Sequence, residues 1–88
     1  MMDDGNGLQF LWAVRTDLVP HVRPDVCFLM LTASNDPNAF ALAARLDVSG
    51  YVTKPVTPDK LRTAIVRGYN QVIRPDAARY NRVLLPQN

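Results

Sequence analysis

The chain has 88 residues, 48% hydrophobic and 20% charged, with a formal net charge of +2. That length holds one small domain, the composition excludes a wholly disordered chain, and the charge is too small to point to nucleic acid. No apolar run approaches the roughly 20 residues of a membrane helix, Met1-Met2-Asp3-Asp4-Gly5-Asn6 does not read as a signal peptide, and a single cysteine fits a reducing compartment, so a cytoplasmic location is expected.

Gly7 opens the first helical pattern, with Asn6 as its cap. Leu8, Leu11, Val14 and Leu18 recur at spacings of three or four, and Phe10 and Trp12 flank that stripe. Pro20 ends it, because the residue before a proline avoids the helical region. Val26 to Leu31 is an unbroken apolar run, which suits a strand buried on both faces. Cys27 inside that run reads as a buried structural thiol. Asp36 caps a second helix with Pro37 at its first position, and Phe40, Ala43, Ala44 and Val48 form its stripe. Ser49-Gly50 ends that helix, and Tyr51-Val52-Thr53 reads as a short second strand.

Thr57-Pro58 starts a third helix by the same cap-plus-proline logic, with Leu61, Ala64, Ile65, Gly68 and Val72 on one face. The pattern fades after Ile73, so 74–88 reads as a solvated tail or the start of a linker. Helix, strand, helix, strand, helix implies a parallel α/β sheet. Two strands leave an unpaired edge, and low solubility or oligomerisation is expected of the isolated chain.

Thr32 and Lys54 each follow an apolar run, at the sheet edge where ligands of parallel α/β folds sit. A hydroxyl and an ammonium there suit a phosphoryl group. Each also has a plainer reading. Threonine is common in strands because it is β-branched, Lys54 is also a solvated loop lysine, and Tyr51 is also a packing residue of a short strand. One histidine and one cysteine give a zinc site or a Cys-His catalytic pair little to build on.

In order and spacing, the residues resemble the second half of the receiver domain of bacterial two-component response regulators. Gly7-Leu8-Gln9-Phe10-Leu11 is similar to that family's helix three, Leu29-Met30-Leu31-Thr32-Ala33 to the end of strand four, and Gly50-Tyr51-Val52-Thr53-Lys54-Pro55-Val56 to strand five and its loop. Thr57-Pro58-x-x-Leu61 is similar to the start of helix five. The resemblance implies a flavodoxin-like (CheY-like) α/β fold, present in part: α3-β4-α4-β5-α5 of a (βα)5 doubly wound parallel sheet, over residues 1–73. It implies that Thr32 is the switch hydroxyl, that Lys54 pairs with the phosphoryl group, that Tyr51 is the aromatic switch, and that Lys54-Pro55 is a cis bond.

The match departs from the family ahead of Gly7. By this alignment the phosphoacceptor aspartate and the magnesium-binding acidic pair fall upstream of Met1. Asp3 and Asp4 take loop positions after the acceptor, and Asp3 stands where proline is usual. The expectation is therefore an N-terminally truncated receiver in phosphorelay signalling. It would lack enzymatic activity and a metal site of its own, with Mg2+ and a sensor histidine kinase or phosphotransfer protein belonging to the full-length parent. The alternative is a phosphorylation-independent interaction or dimerisation module. It would use the family's α4-β5-α5 face or the strand at 26–31, with no membrane or nucleic-acid partner. An unrelated small α/β enzyme is the remaining reading, and no nucleophile–base pair supports it.

Overall fold

The computed structural model describes residues 4–33 and 36–85, with the backbone alone at 4–6. Among them lie four helices and one parallel sheet of two strands: α1 (Asp4–Arg15), β1 (Leu29–Thr32), α2 (Pro37–Arg45), β2 (Gly50–Thr53), α3 (Pro58–Asn70) and α4 (Ala77–Tyr80). No described helix is long and apolar enough to cross a membrane.

Two of the three caps expected from sequence, Asp36 and Thr57, are formed. The Asp36 carboxylate accepts from the Asn38 N–H at 2.9 Å, and the Thr57 hydroxyl accepts from the Lys60 N–H at 3.2 Å. Each satisfies a donor that the first helical turn leaves without a backbone partner. Pro37 and Pro58, which have no N–H to satisfy, take the first helical positions.

Helix ends differ from the sequence reading. α1 begins at Asp4, ahead of the expected Gly7, and Asn6 lies inside it. It stops at Arg15 because Asp17 turns left-handed (φ 63°), sending the Leu18 N–H to Ala13 C=O at 2.9 Å and the Asp17 N–H to Val14 C=O at 3.2 Å. This Schellman pair closes the helix before Pro20 can. Leu18, expected in the core stripe, is therefore 61% exposed. α2 closes the same way around Asp47 (φ 55°), with the Val48 N–H on Ala43 C=O and the Asp47 N–H on Ala44 C=O. α3 stops at Asn70, where Gln71 turns extended and its side-chain amide donates to Ser49 C=O at 3.2 Å. Val72, expected on its inner face, is exposed.

β1 is shorter than the apolar run. The Val26 carbonyl accepts from the Arg15 guanidinium at 2.6 Å, and the Val26 N–H donates back to Arg23 C=O in a turn, so Val26 and Cys27 stay out of the pairing, which opens at the Phe28 carbonyl accepting from the Gly50 N–H. Cys27, expected to be buried, is only partly so.

The sheet has a helix layer on each face. Partners in register share a face, and Met30 and Tyr51 face α1 and α2. The main core gathers there: Leu8, Leu11, Met30, Ala39, Ala43 and Leu46. Leu29 and Gly50 face α3, whose Ala64 lies 3.6 Å from where a Gly50 Cβ would stand. Gly68 lets α3 approach closely, since a Cβ there would sit 2.7 Å from Cys27 Sγ.

The segment after Ile73 does not trail into solvent throughout. Asp76 caps α4, and Tyr80 joins the main core at 0% exposure, with Val83 and Leu85 packed against it. One aromatic with two flanking aliphatics is enough to dock a short segment, and it shows no helical period to read.

Candidate functional site

The carboxyl edge of the sheet brings Thr32 and Lys54 together. Thr32 and Thr53 are partners in the register, and the Lys54 N–H donates to Thr32 C=O at 2.7 Å just past the strand end. Thr32 is 2% exposed at the end of the ladder. Lys54 is exposed, and among the described residues no ion pair holds its ammonium. The Lys54–Pro55 bond is cis. The backbone bond brings a hydroxyl-bearing residue next to an ammonium-bearing one, and those two donor types suit an anionic oxygen ligand.

Tyr51 lies one layer in, half buried, with its ring edge-on to Phe40 at 5.2 Å between centroids. A cleft of about 330 Å³ opens beside it, lined by Asp36, Pro37, Phe40, Tyr51 and Thr53. Among the described residues no group of three or more His, Cys, Asp and Glu is placed to hold a metal ion. Asp3 lies outside the described residues, and Asp4, expected in a loop, opens α1.

The opposite, amino edge of the sheet holds a charged cluster that the sequence reading missed. Arg15 is 1% exposed. Its Nε donates to Leu46 and Asp47 C=O at 3.2 Å each, Nη1 to Pro24 C=O at 2.8 Å and Val26 C=O at 2.6 Å, and Nη2 to Asp47 C=O at 2.7 Å. Nη2 also reaches the Ser49 hydroxyl, which in turn accepts from the Phe28 N–H. One guanidinium thus ties the end of α1 to both segments that enter the sheet. Burial pushes its pKa down, and Tyr80 and the Asp47 carboxylate oppose that shift.

The Asp47 carboxylate accepts from the Tyr80 hydroxyl at 2.5 Å and from Arg79. Burial, then this hydrogen bond, raises the Tyr80 pKa. The signal for Arg15 was present in the sequence. It stands seven residues after Leu8 and four after Leu11, on the apolar stripe itself. Nothing comparable marked Asp47 or Tyr80.

No family model, no curated protein and no solved structure matches this chain.

Proposed function

We propose that this chain is the switch half of a response-regulator receiver and that its role belongs to phosphorelay signalling. On this reading α1, β1, α2, β2 and α3 are the family's helix three, strand four, helix four, strand five and helix five. The flavodoxin-like sheet of the family would continue beyond β1. The observation that carries the reading is the pairing of Thr32 with Thr53 and the hydrogen bond from Lys54 to Thr32. It sets the two phosphoryl-binding candidates on neighbouring strands at the edge where α/β folds take ligands. Helices on both faces of a parallel sheet agree with it.

Thr32 would donate its hydroxyl to one phosphoryl oxygen, and Lys54 would pair with another. Charge developing on a transferred phosphoryl group is stabilised by such placed donors. Tyr51, beside Phe40, would report the change to a partner. Neither donor accepts a phosphoryl group. The acceptor carboxylate and the Mg2+ that a receiver uses would come from residues that match nothing in these 88. The kinase or phosphotransfer protein would act on that fuller domain, in the cytoplasm.

The test joins the first half of a characterised receiver, through its strand three, ahead of Met1 at the matched position. Intact mass after acetyl phosphate and Mg2+ is expected to show one phosphoryl group. A folded chimera that stays unmodified would reject the reading.

A second reading, a phosphorylation-independent interaction module, is favoured by the face of α2, β2 and α3. Phe40 is 53% exposed and Val72 81% exposed there, and both line a cleft of about 480 Å³ with Val48 and Tyr51. Phe40→Lys separates the two readings, because it would abolish docking on this face and leave phosphoryl transfer in the chimera intact.

A further inference from the structure

The segment 76–85 is tied to the rest of the molecule by side chains. Its own backbone bonds stay inside it: the Tyr80 N–H donates to Asp76 C=O, Asn81 to Ala77, Arg82 to Arg79 and Val83 to Tyr80. The lead from α3, 71–76, is neither helix nor strand, and among the described residues no backbone–backbone bond holds 72–75. The segment can therefore lift away with its short helix intact and without breaking a backbone bond to the sheet or to α1–α3. Few buried contacts and exposed backbone mark the parts of a protein that open first.

What holds the segment is one aromatic ring and one carboxylate oxygen. Tyr80 is buried beside Leu8, Leu11 and Leu46, while Val83 and Leu85 are only partly covered. The Tyr80 hydroxyl and the Arg79 guanidinium donate to the same oxygen, Oδ2 of Asp47. Arg79 also lies over the Tyr80 ring, 5.0 Å from its centroid, so the two donors arrive together. The receiving side is fixed by the fold. The Asp47 N–H is bonded to Ala44 C=O, and its carbonyl accepts from Arg15 at 2.7 Å. One rigid acceptor thus faces two donors on a segment with no other polar tie among the described residues.

We propose that 76–85 is a clasp, which opens and closes as one unit while the sheet and α1–α3 stay folded, and that the Asp47 carboxylate is its latch. Closed, the chain covers the Leu8–Leu11 side of α1 with its own tyrosine. Open, that side is bare, so the state of the clasp governs access to it. Trp12 marks the same boundary, because it lines a cleft of about 520 Å³ together with Asn81, Val83 and Leu85. The inference rests on how the segment is attached and stands apart from the receiver reading.

The test is amide hydrogen exchange of the 88-residue chain in rising, sub-denaturing urea. The Tyr80, Asn81 and Val83 amides are expected to share one opening constant. It should exceed that of the most protected amides of the sheet and of α2 at least about tenfold, and depend on urea more weakly, because opening a clasp exposes less surface than unfolding the chain. Trp12, the single tryptophan, is expected to shift its emission to the red at lower urea than the far-UV circular dichroism changes. Asp47→Asn keeps a residue that tolerates the left-handed backbone and keeps the carbonyl that Arg15 uses. It is expected to raise the exchange of the three amides at least about tenfold, since charged acceptors make the stronger bonds. Tyr80→Ala is expected to leave Asn81 and Val83 unprotected while the sheet amides stay protected. If that variant does not fold, the urea dependence of the unaltered chain gives the answer. Three amides that exchange only with the sheet, at the same urea dependence, would overturn the proposal. So would three unequal opening constants, or an exchange that Asp47→Asn leaves unchanged.

Discussion

Replacing Arg15 with methionine tests the main polar link of the fold. Methionine keeps much of the apolar stem and removes every donor. Four carbonyls (Leu46, Asp47, Pro24 and Val26) and the Ser49 hydroxyl then lose the guanidinium. A hydrogen bond to a charged group contributes about 1.5–3 kcal/mol, and a buried acceptor left alone costs about 1–3 kcal/mol. Against these stands the relief of no longer burying a charge, which is several kcal/mol. The balance is a loss of about 3–5 kcal/mol, because several neutral acceptors lose their donor while the relief of the buried charge offsets only part of those bonds. A chain of this size has roughly 4–13 kcal/mol in all, so the variant should be close to unfolding. At about 4–8 °C per kcal/mol, Tm should fall by at least about 12 °C. Arg15→Lys should fall between, since an ammonium cannot span acceptors on both sides. The assay is urea and thermal unfolding followed by far-UV circular dichroism, at one fixed protein concentration because association shifts Tm. A loss under about 1 kcal/mol for Arg15→Met would refute the reasoning. It would mean that desolvation offsets the whole set of bonds, as in buried ion pairs that hydrophobic residues replace without loss.

The Tyr80 pKa is raised in the fold, so the neutral phenol is the favoured form. Its contribution is complete below the unfolded value of about 10 and is lost as pH rises through the folded value. Stability should therefore decline above about pH 10, and Tyr80→Phe should flatten that decline while lowering stability at neutral pH by about 1.5–3 kcal/mol; denaturant midpoints across pH would show both. Gly68→Ala should destabilise by about 1–3 kcal/mol through the clash with Cys27 Sγ. The double variant with Cys27→Ala should recover part of that in a mutant cycle, and full additivity would count against the contact. The 88-residue chain alone should show no change in intact mass with acetyl phosphate and Mg2+. A saturable, Mg2+-dependent gain would mean that Asp3 or Asp4 serves as acceptor.

Elements marked by strong local chemistry were legible. Asp36-Pro37 and Thr57-Pro58 located two helix starts, because cap and proline act within one turn. The parallel strands followed from their apolar runs and from helices between them. What was lost depended on partners distant in sequence. The length of β1 is set by Arg15 taking the Val26 carbonyl, and no pattern within 26–31 shows that. Asp17 and Asp47 end their helices as left-handed residues without glycine, so the usual stop signal is missing. The docking of 74–85 rests on Tyr80 and Asp47, which lie 33 residues apart. The place of Thr32 and Lys54 at the carboxyl edge of the sheet was legible because strand ends are visible in sequence. The Arg15–Asp47–Tyr80 cluster was not, because an arginine on an apolar stripe reads as a flank until its acceptors are seen.

The central claim is that Thr32 and Lys54 are the phosphoryl-binding pair of a receiver. The most direct measurement titrates the chimera described above with beryllofluoride and Mg2+ by calorimetry, as made and with Thr32→Ala or Lys54→Ala. Saturable, Mg2+-dependent binding that weakens at least about tenfold, or 1.4 kcal/mol, in each variant is the predicted result. Binding that is indifferent to both substitutions would contradict it.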